Sequence, residues 1–203
     1  MIYGIYLAAG NSSRMGGPKL SLPLGNQCLG NYGLNAALKS TLDRVIVVSK
    51  EGDPLNWISS HSKKQHKFVH TVCKTASLGQ SESLKHGLKL AQTFNIDAIV
   101  VMLADQPLIT KEIVNELILR FRKSSHNYIA ASSGRIVKPP ALFNSTLFPA
   151  LLQLKGDYGA RHLLRTVPGL VIEYQNNENF LDIDTPADYE YVKNYLKTMK
   201  YND

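Results

Sequence analysis

The sequence predicts an α/β domain with a mostly parallel sheet covered by helices. Continuous β-branched runs, clearest at residues 44–49 and Ala98–Leu103, indicate strands that are buried on both faces. Amphipathic stretches lie between such runs, for example residues 81–94, where Leu84 and Leu88 stand four residues apart. Strands that alternate with helices are typical of parallel sheets. The length of 203 residues, with 44% apolar and 19% charged residues, excludes a disordered chain and predicts a single domain over residues 1–203.

The first half of the chain is predicted to alternate strands and helices. In order, the elements are a strand that begins at Ile2 and ends before Gly10, a helix at 29–38, a strand at 44–49, a short helix from Pro54 through Ile58, and a strand at 68–72. Pro54 predicts a helix start because proline has the φ of a first helical turn and needs no N–H partner there. The helix at 81–94 and the strand Ala98–Leu103 follow, and this strand ends at Ala104-Asp105.

The next helix is predicted to begin after Thr110, whose hydroxyl can accept a hydrogen bond from a backbone N–H of the first turn. Its expected buried stripe is Ile113, Val114, Leu117, Ile118 and Phe121. A strand is expected at 128–131. Residues 134–159 are expected to be irregular, because Pro139-Pro140 forbids helix there, with one short helix within 144–154.

A strand at Leu170–Tyr174 and a final helix complete the chain. The segment Thr185-Pro186-Ala187-Asp188 predicts the start of this helix, since it combines a capping residue, a first-turn proline and an acidic residue three positions after the cap. The apolar face is predicted to be Tyr189, Val192, Leu196 and Met199.

The first strand runs into a polar loop, residues 10–19, that is rich in glycine and serine and carries Arg14 and Lys19. Small residues let several backbone N–H groups approach one ligand, and the two cations suit phosphate oxygens. A solvated surface turn has the same composition. The loop matches neither the Gly-x-x-x-x-Gly-Lys-Ser/Thr phosphate loop nor the dinucleotide Gly-x-Gly-x-x-Gly pattern.

Acidic residues follow two of the predicted strands. Asp105 ends a buried strand, where it either caps the next helix and closes the turn or supplies a hard oxygen ligand for Mg²⁺. Asp182 and Asp184 flank Ile183 at the end of another expected strand, so that only one of them can face the same point as Asp105. Ligands of open α/β sheets bind beyond the carboxyl ends of the strands, which predicts one pocket shared by the first loop and Asp105.

Five segments in order resemble the nucleotidyltransferases of molybdenum cofactor biosynthesis, and among them the molybdenum cofactor cytidylyltransferases, including relatives that serve purine-oxidising molybdoenzymes. The segments span nearly the whole chain: Leu7-Ala8-Ala9-Gly10-x-Ser12-Ser13-Arg14-Met15-Gly16-x-Pro18-Lys19, Ser81-x-Ser83-Leu84, Leu103-Ala104-Asp105-Gln106-Pro107, Gly156-Asp157-x-Gly159-Ala160-Arg161 and Asp182-Ile183-Asp184-Thr185-Pro186-x-Asp188-Tyr189. The resemblance implies a three-layer α/β/α fold of the Rossmann-like nucleotide-diphospho-sugar transferase type.

The resemblance also implies roles for individual residues. Arg14, Lys19 and Asp105 would be catalytic, and Asp105 with Asp184 would hold Mg²⁺ as the cofactor. The nucleotide would lie against Leu7, Ala8, Ala9, Gly10, Ser12, Ser13, Arg14, Lys19, Gln80, Ser81 and Ser83. The pterin side would include Pro140, Asp157, Gly159 and Arg161. From the residues alone, a helix cap is the favoured role of Ser81 and Ser83. Arg161 fits an exposed helix face as well as it fits a phosphate or pterin contact.

The activity implied is transfer of CMP from CTP to the molybdopterin phosphate of the molybdenum cofactor, with release of pyrophosphate. Ala9 stands where guanosine-transferring relatives tend to have glycine, which favours CTP over GTP. The alternatives are a guanylyltransferase on the same cofactor, a nucleotidyltransferase for a sugar phosphate or small alcohol, and a nucleotide-binding chaperone for cofactor insertion. A molybdoenzyme or its maturation chaperone is an expected partner.

Charge and cysteine content agree with an intracellular enzyme for an anionic substrate. The net charge is +7 and the basic residues are scattered, which favours a small anion over nucleic acid. The two cysteines form neither a disulfide framework nor a metal-ligand pattern, and the six histidines lie in no catalytic motif. Neither a signal peptide nor a membrane span is recognisable, so we expect a cytoplasmic protein.

Overall fold

The computed structural model describes residues 1–156, 160 and 163–200, and in this part of the chain the main feature is a seven-stranded sheet. The strands are β1 (Ile2–Leu7), β4 (Arg44–Lys50), β5 (Phe68–Cys73), β6 (Ala98–Leu103), β7 (Tyr128–Ser133), β8 (Ile136–Asn144) and β9 (Leu170–Tyr174), and a separate two-stranded hairpin is formed by β2 (Pro23–Leu24) and β3 (Gln27–Cys28). The order across the sheet is β5-β4-β1-β6-β8-β7-β9. All neighbours are parallel except at β8, which is antiparallel to β6 and β7.

Helices cover both faces of the sheet. The helices are α1 (Leu29–Lys39), α2 (Ser60–Lys63), α3 (Gln80–Ala91), α4 (Lys111–Arg122), α5 (Phe148–Leu152), α6 (Leu163–Thr166) and α7 (Pro186–Lys200). Side chains of β1 alternate between the two cores: Tyr6 packs with the α1 and α4 side, and Ile5 with the α3 and α5 side. This arrangement confirms the predicted three-layer α/β/α fold.

The expectation of an irregular segment at 134–159 was wrong, because the long strand β8 lies there. Pro139 and Pro140 fall where the pairing of β7 with β8 shifts: Ala130 pairs with Ala141, but Ala131 pairs with Lys138. At such a bulge the missing N–H groups of the prolines cost no ladder bond, so proline is tolerated inside a central strand. Because β8 runs antiparallel, its N-terminal end lies at the carboxyl edge of the parallel strands.

The helix expected from Pro54 through Ile58 is also wrong. The Asp53 carboxylate accepts hydrogen bonds from the Leu55 backbone N–H (2.8 Å) and the Trp57 Nε1–H (3.3 Å), which fold this segment into turns. The helix of this connection is α2, which begins only after Ser59. The strand expected to end at Asp182–Asp184 is also wrong, because residues 181–184 have no regular secondary structure. The other expected helices and strands are present with end points shifted by a few residues.

The start of α7 has the predicted cap. Asp188 Oδ2 accepts hydrogen bonds from the backbone N–H groups of Asp184 and Thr185, and the Thr185 hydroxyl accepts one from the Asp188 N–H. On the predicted apolar face Val192 is fully buried, but Met199 is 48% exposed and so does not belong to the packed stripe. The cap therefore fixes the backbone at Asp184 and Thr185.

No helix in residues 1–156, 160 and 163–200 is long and apolar enough to cross a membrane.

Candidate active site

A cleft of about 350 Å³ opens at the carboxyl edge of the parallel strands, where the connections after β1, β5 and β6 meet. Its lining is Leu7, Ala8, Ala9, Gly10, Asn11, Ser12, Arg14, Lys19, Leu20, Ala76, Ser77, Gly79, Gln80, Ser83, Leu103, Ala104, Asp105 and Asp184. The predicted pocket shared by the first loop and Asp105 is therefore present, and Asp184 joins it from a segment far along the chain.

Lys19 lies at the centre of the charged part of this cleft. Its Nζ donates hydrogen bonds to Asp105 Oδ2 (2.7 Å), Asp184 Oδ1 (2.9 Å) and the Ile183 carbonyl oxygen (2.9 Å). These three acceptors match the three protons of an ammonium group. The residue is only 7% exposed. Burial lowers the pKa of Lys19, but Asp105 and Asp184 raise it by more, so that the pKa lies above its ordinary value and the ammonium stays charged.

Arg14 lies at the mouth of the cleft, with its side chain 68% exposed. Its Nη2 donates to Asp184 Oδ2 at 2.9 Å. The loop that carries it turns through Ser12 (φ 52°) and Gly16 (φ 68°) on either side of a short 3-10 turn at Ser13–Met15. An exposed guanidinium on such a turn can leave Asp184 and reach a phosphate at the mouth of the cleft.

Asp105 is placed by backbone contacts rather than by a cap of the following helix. Its carbonyl oxygen accepts a hydrogen bond from the Ile183 N–H at 2.9 Å, which fastens the end of β6 to the segment that carries Asp184. Thr110, not Asp105, caps α4, because its side chain accepts from the Ile113 N–H. The buried Asp105 Oδ1 has no hydrogen-bond partner among the described residues.

The donor set fits a divalent cation. Asp105 and Asp184 present hard carboxylate oxygens to one point, and the unpartnered Oδ1 of Asp105 is a buried acceptor that a bound cation would satisfy. In the described part of the chain no three His, Cys, Asp or Glu side chains gather into a metal-binding group. Two carboxylates are the number that Mg²⁺ takes when substrate phosphates and water fill its other positions.

Asp182 and Asp184 contact different groups, as the alternation about Ile183 predicts, although residues 181–184 have no regular secondary structure and form no strand of the sheet. Gln106 Nε2 donates to Asp182 Oδ1 at 2.9 Å, and Lys138 Nζ lies 3.7 Å from Asp182 Oδ2. Burial, and then the negative charge of Asp105, raise the pKa of Asp182. The contacts of Gln106 and Lys138 with Asp182 were not predictable from the sequence, because both join segments that are distant along the chain.

Asp182→Ala is expected to keep turnover within about 10-fold of the unaltered protein, since it removes a contact that positions the segment and no group of the cleft. Steady-state kinetics over a range of Mg²⁺ concentrations would check this. A loss as large as that of Asp184→Ala in the same assay would contradict the assignment of Asp182 as a positioning residue.

The N-terminus of α3 points into the cleft, but the two serines differ from the expectation. Gly79 precedes the helix with φ 125°, and no side chain caps the first turn, so the interpretation of Ser81 and Ser83 as caps was wrong. Gln80 and Ser83 line the cleft. Ser81 does not line it: its side chain is fully buried, and its Oγ has no partner among the described residues.

The expected pterin side is only partly described. Pro140 is buried in β8 near the carboxyl edge and is not part of the cleft lining. Asp157, Gly159 and Arg161 lie outside the described residues, as does the side chain of Ser13. The sequence also did not single out the 3-10 turn Ala76–Leu78, which closes one side of the cleft after β5 and carries no motif.

The chain matches the family described as MobA-like NTP transferase domain over residues 4–175. It is 38% identical over 199 residues to purine catabolism protein PucB of Bacillus subtilis (strain 168), a match that covers 95% of this chain and 96% of that protein.

Two solved structures illustrate the likeness in fold. The homologue of Mycobacterium tuberculosis Rv0371c from Mycobacterium sp. strain JC1 has 27% sequence identity and a TM-score of 0.78, with 98% of each chain covered. Molybdopterin-guanine dinucleotide biosynthesis protein A from Archaeoglobus fulgidus has a TM-score of 0.71 at 15% identity, with 98% of this chain and 100% of that chain covered. At that identity the second likeness concerns the fold alone.

Proposed function

The chain belongs to the family of MobA-like NTP transferase domains, and we propose that it transfers CMP from CTP to the terminal phosphate of molybdopterin in the molybdenum cofactor. The products are molybdopterin cytosine dinucleotide and pyrophosphate. The observation that carries the proposal is the grouping of Lys19, Arg14, Asp105 and Asp184 at the carboxyl edge of the sheet, beside the uncapped N-terminus of α3.

The reaction brings an anionic phosphate oxygen against the α-phosphate of a nucleoside triphosphate. The bond from the α-phosphorus to the oxygen that bridges to the β-phosphate breaks, and pyrophosphate leaves with the electron pair. A protein nucleophile is not required, because the pterin phosphate attacks directly. The protein must neutralise the repulsion between the two anions and the charge that develops on the pyrophosphate.

Two cations of the cleft suit these tasks. Arg14, exposed at the mouth, can fork onto the β- and γ-phosphates. Lys19, deeper and nearly enclosed, can reach the α-phosphate or the incoming phosphate. The first turn of α3 adds partial positive charge to the same cleft, since Gly79 at the cap position has no side chain to bond its N–H groups.

We assign Mg²⁺ as the cofactor, held by Asp105 and Asp184. When bound there, the ion would supply positive charge that offsets the negative charge of the phosphates. Asp105 offers its unpartnered Oδ1, and Asp184 is kept in place by the bond of its N–H to Asp188.

Ala9 supports CTP as the nucleotide. It lines the cleft, is 6% exposed, and packs in the core formed on the α3 side, together with Ala76 and Leu84. The methyl group of Ala9 narrows the cleft beside the backbone of the first loop. A narrower cleft favours cytosine, which is smaller than guanine. The likeness to PucB, whose name ties that protein to purine catabolism, supports a purine-oxidising molybdoenzyme as the recipient of the product.

The test is incubation of the purified protein with molybdenum-loaded molybdopterin, Mg²⁺ and each nucleoside triphosphate in turn. Pyrophosphate and the dinucleotide product are measured together. Product formed with CTP supports the proposal, whereas product only with GTP would assign a guanylyltransferase. Nucleotide binding without pyrophosphate release would point to a cofactor-insertion chaperone, and pyrophosphate release only with a sugar phosphate would point to another acceptor.

Ala9→Gly is expected to improve the use of GTP relative to CTP by about 10-fold, the scale that one methylene-sized change supplies. The ratio of kcat/KM values for the two nucleotides is the measurement. CTP turnover must be followed in the same variant, because glycine also adds conformational freedom to the loop. Equal losses with both nucleotides would show that base choice comes from another part of the cleft.

A further inference from the structure

Among the described residues, the charged side chains that line the cleft are Arg14, Lys19, Asp105 and Asp184, and they neutralise one another. Lys19 contacts both Asp105 and Asp184, and Arg14 contacts the second oxygen of Asp184. Two cations thus balance two carboxylates. Within the described part of the chain, three of the four carboxylate oxygens have a cationic partner, and Asp105 Oδ1 has none.

Because Lys19 and Arg14 already neutralise Asp105 and Asp184, a divalent cation without a nucleotide binds these carboxylates unfavourably. A metal that takes the unpartnered Oδ1 of Asp105 would still meet Lys19 at Asp184, because the ammonium donates to Asp184 Oδ1 at 2.9 Å. Since Mg²⁺–oxygen distances are about 2.0–2.1 Å, the ion would lie within about 5 Å of Nζ, where two positive charges repel strongly in a largely enclosed site.

A nucleoside triphosphate changes the balance. Its phosphates offer Lys19 and Arg14 acceptors of higher negative charge than one carboxylate each, and both cations lie in the lining of the same cleft. When the cations turn to the phosphates, Asp105 and Asp184 become free for the metal, and the phosphates supply further oxygens to it.

We propose that Lys19 is a built-in counterion of Asp105 and Asp184, which prevents a divalent cation from binding these carboxylates until a nucleotide draws the ammonium to its phosphates. The metal therefore enters with the triphosphate rather than before it. This inference rests on the proposed function, because it takes Mg²⁺ at Asp105 and Asp184 as the cofactor. It adds an order of binding and a second role for Lys19.

The experiment is a titration of nucleotide-free protein with Mn²⁺, followed by the electron paramagnetic resonance signal of the free ion. Lys19→Met removes the ammonium and keeps much of the side-chain length, and it is expected to tighten Mn²⁺ binding about 10-fold or more. Arg14→Gln should tighten it less, by about 3-fold, because its charge is exposed and screened by solvent.

Lys138→Met is the matched control. It removes a lysine that lies beside Asp182, outside the cleft lining, and it should leave Mn²⁺ binding unchanged. Arg14 is on the surface, so Arg14→Gln decides the question if Lys19→Met does not fold. The proposal is overturned if folded Lys19→Met binds Mn²⁺ no more tightly than the unaltered protein, or if Lys138→Met tightens binding as much as Lys19→Met. If Lys19→Met does not fold, unchanged Mn²⁺ binding by Arg14→Gln overturns it.

The outcome separates this inference from the proposed function. Neither CTP nor a pterin is present in the titration, so tighter Mn²⁺ binding by Lys19→Met would stand even if the acceptor or the base proved different. Conversely, CMP transfer by the unaltered protein together with unchanged Mn²⁺ binding in both cleft variants would reject the counterion role alone.

Discussion

Asp105→Ala is expected to lower turnover by about 100-fold or more while leaving the fold intact. The substitution removes one of the two carboxylates assigned to Mg²⁺. Loss of a group that stabilises the charge on the transferring phosphate in an enclosed site lowers turnover by about this factor. The backbone bond between the Asp105 carbonyl and the Ile183 N–H does not depend on the side chain, so the two segments stay joined. Asp184→Ala is expected to behave alike.

The measurement is kcat as a function of Mg²⁺ concentration, with circular dichroism to confirm folding. Asp97→Ala is a suitable control, because Asp97 is an exposed carboxylate paired with the N-terminal ammonium at the opposite edge of the sheet. Turnover by Asp105→Ala close to that of the unaltered protein at limiting Mg²⁺ would refute the metal assignment.

Much of the fold follows from local patterns in the chain. The strand Ala98–Leu103 and the helix Lys111–Arg122 were predictable because a run of β-branched residues and a capped apolar stripe each satisfy one simple periodicity. Strand β8 was not, because Pro139 and Pro140 normally exclude a central strand. Only the register of β7 with β8 shows that they fall at a bulge.

The cleft was predictable to the extent that its residues follow strand ends. The first loop and Asp105 meet for that reason, through the topology of a parallel sheet. The contacts of Lys19 with Asp105 and Asp184 were not, since they join positions 86 and 165 residues apart along the chain. The burial of Ser81 could not be foreseen either: it lies between Gln80 and Ser83, which line the cleft, and a helix turns by about 100° per residue, so that neighbouring residues face different sides.

The resting contacts of Lys19 sharpen the expectation for its removal. The Lys19 ammonium is hydrogen-bonded to Asp105 and Asp184, so a triphosphate must compete with these carboxylates for Lys19. The loss of these two bonds partly offsets what Lys19 contributes to the initial binding of the nucleotide. In the reaction itself, negative charge grows on the transferring phosphate and the leaving pyrophosphate. An ammonium near these groups therefore stabilises the transition state more than the bound nucleotide.

Lys19→Ala is accordingly expected to lower kcat by about 100-fold, and to weaken CTP binding by no more than a few-fold. Single-turnover kinetics and CTP binding in the absence of the pterin give the two quantities separately. Lys138→Ala serves as the control, since it removes a lysine beside Asp182 and outside the cleft lining. If Lys19→Ala loses binding and turnover by the same factor, Lys19 anchors the nucleotide in the ground state, and its preference for the transition state is disproved.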